Sequence, residues 1–176
     1  MSQPAHHHHD TPAHQDAPAA DDRSIPRAAL WLGLLGLIPF IGLTALYALQ
    51  MEDRLGWTPG YARDVLVSYG AIILSFLGGI RWGVPLKHGD SSHAVKMFIF
   101  SVVVPLAAWV ALFLPKPHDI TWLIAIFLLV GIADVALVTR GHAPRWFGSL
   151  RTILTIGVVG CLITALALWP FLSIPA

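Results

Sequence analysis

Two ionisable side chains fall inside long apolar runs, and they are the first candidates for chemistry. Arg81 closes the run Tyr69-Gly-Ala-Ile-Ile-Leu-Ser-Phe-Leu-Gly-Gly-Ile-Arg-Trp-Gly83, and Asp134 lies within the run Ile120 to Thr139. A charge at the centre of a bilayer costs roughly 2.5–3.5 kcal/mol on insertion scales and less towards the ends. An intramembrane ion pair between Arg81 and Asp134 would relieve both costs. It would serve structure, or a proton or anion relay if the pair lined a path. Arg140 is an alternative partner for Asp134, with Arg81 then reaching out to the interface.

Other groupings carry less. Lys87, Arg140, Arg145 and Arg151 form a basic cluster that could hold anionic lipid phosphates, or could simply be charges that fix topology. His6, His7, His8 and His9, with His14 nearby, could bind a transition metal loosely. They could equally be a purification-tag remnant or a low-complexity tract. His88-Gly-Asp-Ser-Ser-His93 has too few ligands for a structural zinc site, and Ser91 or Ser92 reads more simply as a helix N-cap. The single cysteine, Cys161, sits in an apolar run, so a disulfide framework is excluded. No phosphate-cradling glycine loop, nucleophile elbow or His-Glu-x-x-His pattern is present, and no enzyme or cofactor is expected.

The elements that must position these residues are membrane helices. Hydrophobic residues make up 56% of the 176-residue chain and charged residues 12%, about half the charge of an ordinary soluble domain. Five apolar runs of about 20 residues match the ~30 Å of hydrocarbon that a helix must cross. The expected fold is an all-α membrane protein. Its helices run at about 28–49, 64–84, 94–114, 120–139 and 149–171, within a membrane domain 28–172. Residues 1–27 hold four Asp, four Pro and five His, with almost nothing apolar. That tail is expected to be disordered, and it resembles neither a signal peptide nor a transit peptide.

Charge sets the expected orientation. Arg23, Arg27, Arg81, Lys87, Lys96, Arg140, Arg145 and Arg151 would lie on the side of the N-terminus, against Arg54, Arg63 and Lys116 on the other. That bias predicts a cytoplasmic N-terminus and an external C-terminus. Small residues recur every fourth position at Ala71, Ser75, Gly79 and Gly83, and this stripe is the expected helix-packing face.

Three blocks also carry a family resemblance. Leu34-Leu-Gly-Leu-Ile-Pro-Phe40, the run Tyr69–Gly83, and Ala143-Pro-Arg-Trp146 with Leu150-Arg151 and Thr155 resemble domain-of-unknown-function family 3429. These are small inner-membrane proteins of the transmembrane-protein-69 type. The resemblance covers about Ala28 to Phe171. It implies a multi-pass location, in the bacterial inner membrane, and places Arg81, Trp82 and Arg151 at motif positions; it assigns no biochemical role. The leading expectation is a helix-packing scaffold or assembly factor for a membrane complex. The alternatives are a small oligomeric transporter or channel using Arg81 and Asp134, and an anionic-lipid-binding protein. Expected partners are membrane lipids, other membrane-protein subunits or further copies of the chain, and no nucleic acid.

Overall fold

The computed structural model describes residues 24–80, 92–141 and 143–172. Five α-helices follow one another: α1 (Arg27–Ala48), α2 (Tyr61–Ile80), α3 (Ser92–Val110), α4 (His118–Thr139) and α5 (Arg145–Leu172). All five are long and apolar enough to cross a membrane. Short 3-10 turns at Glu52–Leu55 and Ala111–Phe113 sit in the links after α1 and α3. The chain is thus an all-helical, multi-pass membrane protein.

Alternation of direction follows from which residues meet. Arg63 at the start of α2 reaches Asp119 at the start of α4, while Asp134 near the end of α4 reaches Arg151 near the start of α5. Trp122 at the start of α4 donates to the Ala107 carbonyl near the end of α3. The helices therefore run up and down, with short links. One end of the bundle carries the start of α1, and the opposite end carries the starts of α2 and α4.

The core is a continuous apolar column. Phe40, Leu66, Leu74, Phe127, Val130 and Leu162 are buried within it. Phe40 makes edge-on contacts with Tyr69 at 5.0 Å and with Phe127 at 6.0 Å between ring centroids, a geometry aromatic rings favour. Outward faces are apolar too: Trp31, Ile72, Phe76, Ile132 and Phe171 are all exposed. A soluble protein would not expose such surface on every helix, and a bilayer requires it.

Glycines let the helices approach. A Cβ at Gly33 of α1 would lie 2.8 Å from Leu154 Cδ1 of α5, and one at Gly157 of α5 would lie 2.8 Å from Leu37 Cδ2 of α1. Each helix offers a notch and a leucine to the other, which locks their register.

The α2 packing face differs from the expected stripe. Ala71 is buried and Ser75 half-buried, but Gly79 is exposed with open space around it; Gly83 lies outside the described residues. Steps of four residues drift by about 40° at 100° per residue, so the stripe rotates off the contact. Steps of three and four in alternation hold the face, and the buried residues are accordingly Ala71, Leu74 and Gly78. At Gly78 an added Cβ would stand 2.8 Å from Pro105 Cδ and 3.0 Å from the Ser101 carbonyl oxygen. That carbonyl is the one whose helical partner Pro105 removes.

The two neighbouring glycines give a clean prediction. Gly78→Ala is expected to destabilise the α2–α3 contact by roughly 1–3 kcal/mol through overpacking. Gly79→Ala should be neutral or stabilising by up to about 1 kcal/mol through helix propensity. Unfolding midpoints of the two variants in mixed micelles check this, and equal midpoints would refute the assignment of the face.

Candidate functional site

Two buried ion pairs stand at opposite ends of the bundle. Sequence reasoning missed the first, and in the second it singled out Asp134 but not Arg151 as its partner.

At the end opposite the start of α1, Arg63 is wholly buried, with 0% of its surface exposed, and Asp119 is 5% exposed. They meet through two bonds: Nη1 donates to Oδ2 at 2.8 Å and Nη2 to Oδ1 at 2.5 Å. This is the planar two-pronged geometry that only arginine offers a carboxylate. The Trp169 ring lies 4.7 Å from the guanidinium carbon and adds a cation–π contact from α5. Arg63 was expected in a loop because α2 was placed from Asp64. The helix begins three residues earlier, and that one turn brings Arg63 onto the face towards α4.

The same end holds a second polar device. The Glu52 carboxylate, itself buried, accepts from the Gly60 amide at 2.8 Å and the Ala62 amide at 2.7 Å. These are donors at the head of α2 that the helix cannot satisfy internally, and the negative charge sits favourably on the helix dipole. Asp64 bonds Lys116 at 2.5 Å on the surface nearby. The Arg63–Asp119 pair fastens α2 to α4 and the Trp169 contact adds α5, while Glu52 and Gly60 beside them line a separate pocket of about 290 Å³ with Tyr47 and Leu172.

At the other end, Arg151 Nε donates to Asp134 Oδ2 at 2.6 Å. Both residues are buried, at 7% and 5% exposure. Arg81, the expected partner of Asp134, lies outside the described residues, as do Lys87 and the tract His6–His9. Of the expected basic cluster, Arg140, Arg145 and Arg151 are described. Arg140 and Arg145 are exposed, whereas Arg151 turns inwards. An arginine counted for topology was in fact a core residue, because α5 starts at Arg145 and Arg151 falls on its inner face.

This second pair borders open space. A chamber of about 690 Å³ is lined by both ion-pair residues, by Leu32 and Gly33 of α1, by Phe76 and Ile80 of α2, and by Trp146 and Phe147 of α5. A narrower slot of about 190 Å³ adjoins it, sharing Leu32, Gly33, Phe76, Leu77, Arg151 and Leu154. The slot runs on towards mid-bundle between Gly36, Phe40, Ile73, Phe127 and Thr155. Its far end is marked by the Tyr69 hydroxyl, which donates to the Gly36 carbonyl at 3.0 Å and ties α2 to α1. Towards the start of α1 from that tie, the crevice is bordered by Leu32 and Gly33 of α1 and by Phe76 and Leu77 of α2.

The polar groups in the crevice are few and placed at one wall. Arg151 spends only its Nε on Asp134, so its two terminal nitrogens carry donors that no bond among the described residues uses. Thr155, one turn along α5, lines the slot with its hydroxyl set over Gly131 of α4, where an added Cβ would stand 3.0 Å from it. The rest of the lining is hydrocarbon and aromatic. Such a site is built to orient a largely apolar molecule by a small polar head. No cluster of three or more metal-ligating side chains exists among the described residues.

The fold and these two pairs define a class: a five-helix integral membrane protein with charges buried at both ends and an apolar core between them. The chain belongs to the family described as protein of unknown function DUF3429, whose profile matches residues 25–167. It is 36% identical over 151 residues to transmembrane protein 69 of Xenopus tropicalis, covering 82% of this chain and 55% of that protein. It is 31% identical over 133 residues to transmembrane protein 69 of Mus musculus, covering 74% of this chain and 52% of that protein. The chain thus spans about half the length of these curated relatives. No solved structure matches it.

Proposed function

We propose that this membrane protein binds an amphiphile between α1 and α2, with the polar head at the Asp134–Arg151 pair and the chain in the apolar crevice. One observation carries this reading: a buried, charged pair opens into a lined chamber rather than being packed over. Purely structural pairs are closed off, as Arg63–Asp119 is at the other end.

The rival readings have less to stand on. A scaffold needs an uncovered packing face, but Ala71 and Gly78 are covered by helices of the same chain. A transporter needs a polar path, yet Asp119 and Asp134 lie fifteen residues apart on α4, about 22 Å, with Leu123, Phe127 and Val130 buried between them. The proposal keeps the N-terminal end in the cytoplasm, since eight of the eleven Lys and Arg, or seven without the buried Arg151, would then lie towards that side. It keeps an inner membrane as the location and no catalytic step. The relatives' names specify a membrane protein and no particular membrane.

The test is a count. The protein is extracted in a lipid-retaining medium, and the amphiphiles carried per chain are measured for the wild type and for Gly36→Phe. Gly36 lines the slot, and an added Cβ there meets nothing within 4 Å, so the backbone has room for a side chain at the slot wall. About one tightly held amphiphile per chain is expected in the wild type and at least fivefold less in the variant. Equal complements in both would overturn the reading.

A further inference from the structure

We infer that the pocket at the other end of the bundle, between the close of α1, the link to α2 and the close of α5, binds a primary ammonium group, of a lipid head or of a free amine. This site is separate from the crevice and does not depend on what the crevice holds.

Unused polar groups come first. The pocket holds about 290 Å³, and its polar side chains are Tyr47, Gln50, Glu52 and Asp53. Tyr47 is 3% exposed, yet its hydroxyl has no hydrogen-bond partner among the described residues. A buried hydroxyl in that state carries a desolvation cost that a bound group relieves. The Glu52 carboxylate takes one amide on each oxygen, from Gly60 and Ala62. A carboxylate offers about four acceptor sites, so each oxygen keeps one. Asp53 is exposed and makes no side-chain bond among the described residues.

Charge comes next. The acids at this end are Glu52, Asp53, Asp64 and Asp119, and the bases are Arg54, Arg63 and Lys116. Arg63 is spent on Asp119 and Lys116 on Asp64, while Arg54 is exposed. The pocket itself is lined by two acids and by no base, so its field favours a cation.

The kind of cation follows from its donors and from the walls. A divalent metal takes about six oxygen ligands, and no cluster of three or more metal-ligating side chains exists among the described residues. A quaternary ammonium has no N–H to donate and is held by an aromatic cage, whereas this lining has one aromatic side chain, Tyr47. A primary ammonium brings three donors, which the Tyr47 oxygen, the Gln50 side-chain carbonyl and the two carboxylates can accept. Pro59 and Leu172 give its carbon stem apolar walls.

The experiment measures the unfolding midpoint of the full chain in phosphatidylcholine mixed micelles, with phosphatidylethanolamine added to the micelle or ethanolamine to the water. A ligand bound only by the folded chain raises the midpoint until the site saturates, here by roughly 5 °C. A rise with phosphatidylethanolamine alone assigns the site to a lipid head, and a rise with free ethanolamine assigns it to a soluble amine; either supports the inference. Tyr47→Phe and Asp53→Asn should each cut the response at least threefold. Both leave the Glu52 carboxylate on the head of α2, and neither side chain holds another in the folded chain, so both variants should fold. Gly36→Phe, which lies in the crevice, should keep the full response.

No rise with either amine would overturn the inference. So would an equal rise with tetramethylammonium or sodium chloride, since neither ion has an N–H. A response undiminished in Tyr47→Phe or in Asp53→Asn, or abolished in Gly36→Phe, would place the amine elsewhere and overturn it as well.

Discussion

Arg63→Leu is expected to lower stability by roughly 3–5 kcal/mol, the largest effect of any single substitution in this chain. The variant leaves the Asp119 carboxylate buried at 5% exposure with its two strongest bonds gone. It also removes the cation from the Trp169 ring, so α5 loses its hold at that end. Arg63→Lys should recover little, because a point-like ammonium cannot make two parallel bonds to one carboxylate. The double variant Arg63→Leu/Asp119→Leu should be far milder than either single change, since two apolar side chains replace the pair with no stranded charge. Denaturation midpoints in mixed micelles measure all three. A loss below about 1 kcal/mol for Arg63→Leu would show that the carboxylate is relieved by other means.

The second large effect is at the other pair. Asp134→Leu is expected to cost roughly 3 kcal/mol by stranding the Arg151 guanidinium. One bond rather than two joins this pair, and the chamber beside it gives the stranded group some outlet, so the cost should stay below that at Arg63. A cycle with Arg151→Leu should show coupling of about 1–3 kcal/mol. Losses that simply add would mean that Asp134 and Arg151 stabilise the bundle independently. Amphiphile retention, measured on the same variants, should fall in both singles and stay low in the double, even as stability returns. That divergence between stability and binding separates a ligand-holding pair from a structural one.

How much of this was legible depends on what each signal measures. Hydropathy reports length and apolarity, so five spans could be read from the sequence. It does not report which way a helix is turned, and that is where the readings of single residues diverged. Arg151 looked like one more charge flanking a membrane helix, but its neighbour across the contact, Asp134, gives it an inward address. Arg63 lay one residue outside the expected start of α2, and Asp119 lay at the end of the turn Pro115-Lys-Pro-His-Asp119. Nothing local marks them as partners. Gly79 was preferred to Gly78 because a four-residue period was traced alone; the packed face alternates steps of three and four. The crevice had no sequence signal, because Leu32 and Phe76 look like ordinary lipid-facing residues. It lies on the side of the Tyr69–Gly36 tie towards the start of α1. Signals that could have found the core charges were available: an arginine among only three positive charges on its side, and acids inside or bordering apolar runs.

The distance along the chain between the ion-pair partners sets an order of events during synthesis. Asp134 and Arg151 are 17 residues apart and emerge almost together. Arg63 precedes Asp119 by 56 residues. At ~5–20 residues per second, α2 leaves the ribosome about 3–11 seconds before its counter-ion exists. In that interval the guanidinium has only Asp64, its neighbour in the chain, and whatever water or lipid phosphate lies at the interface. Interfacial groups serve Arg63 first, and its two-bond pair with Asp119 closes only once α4 has followed.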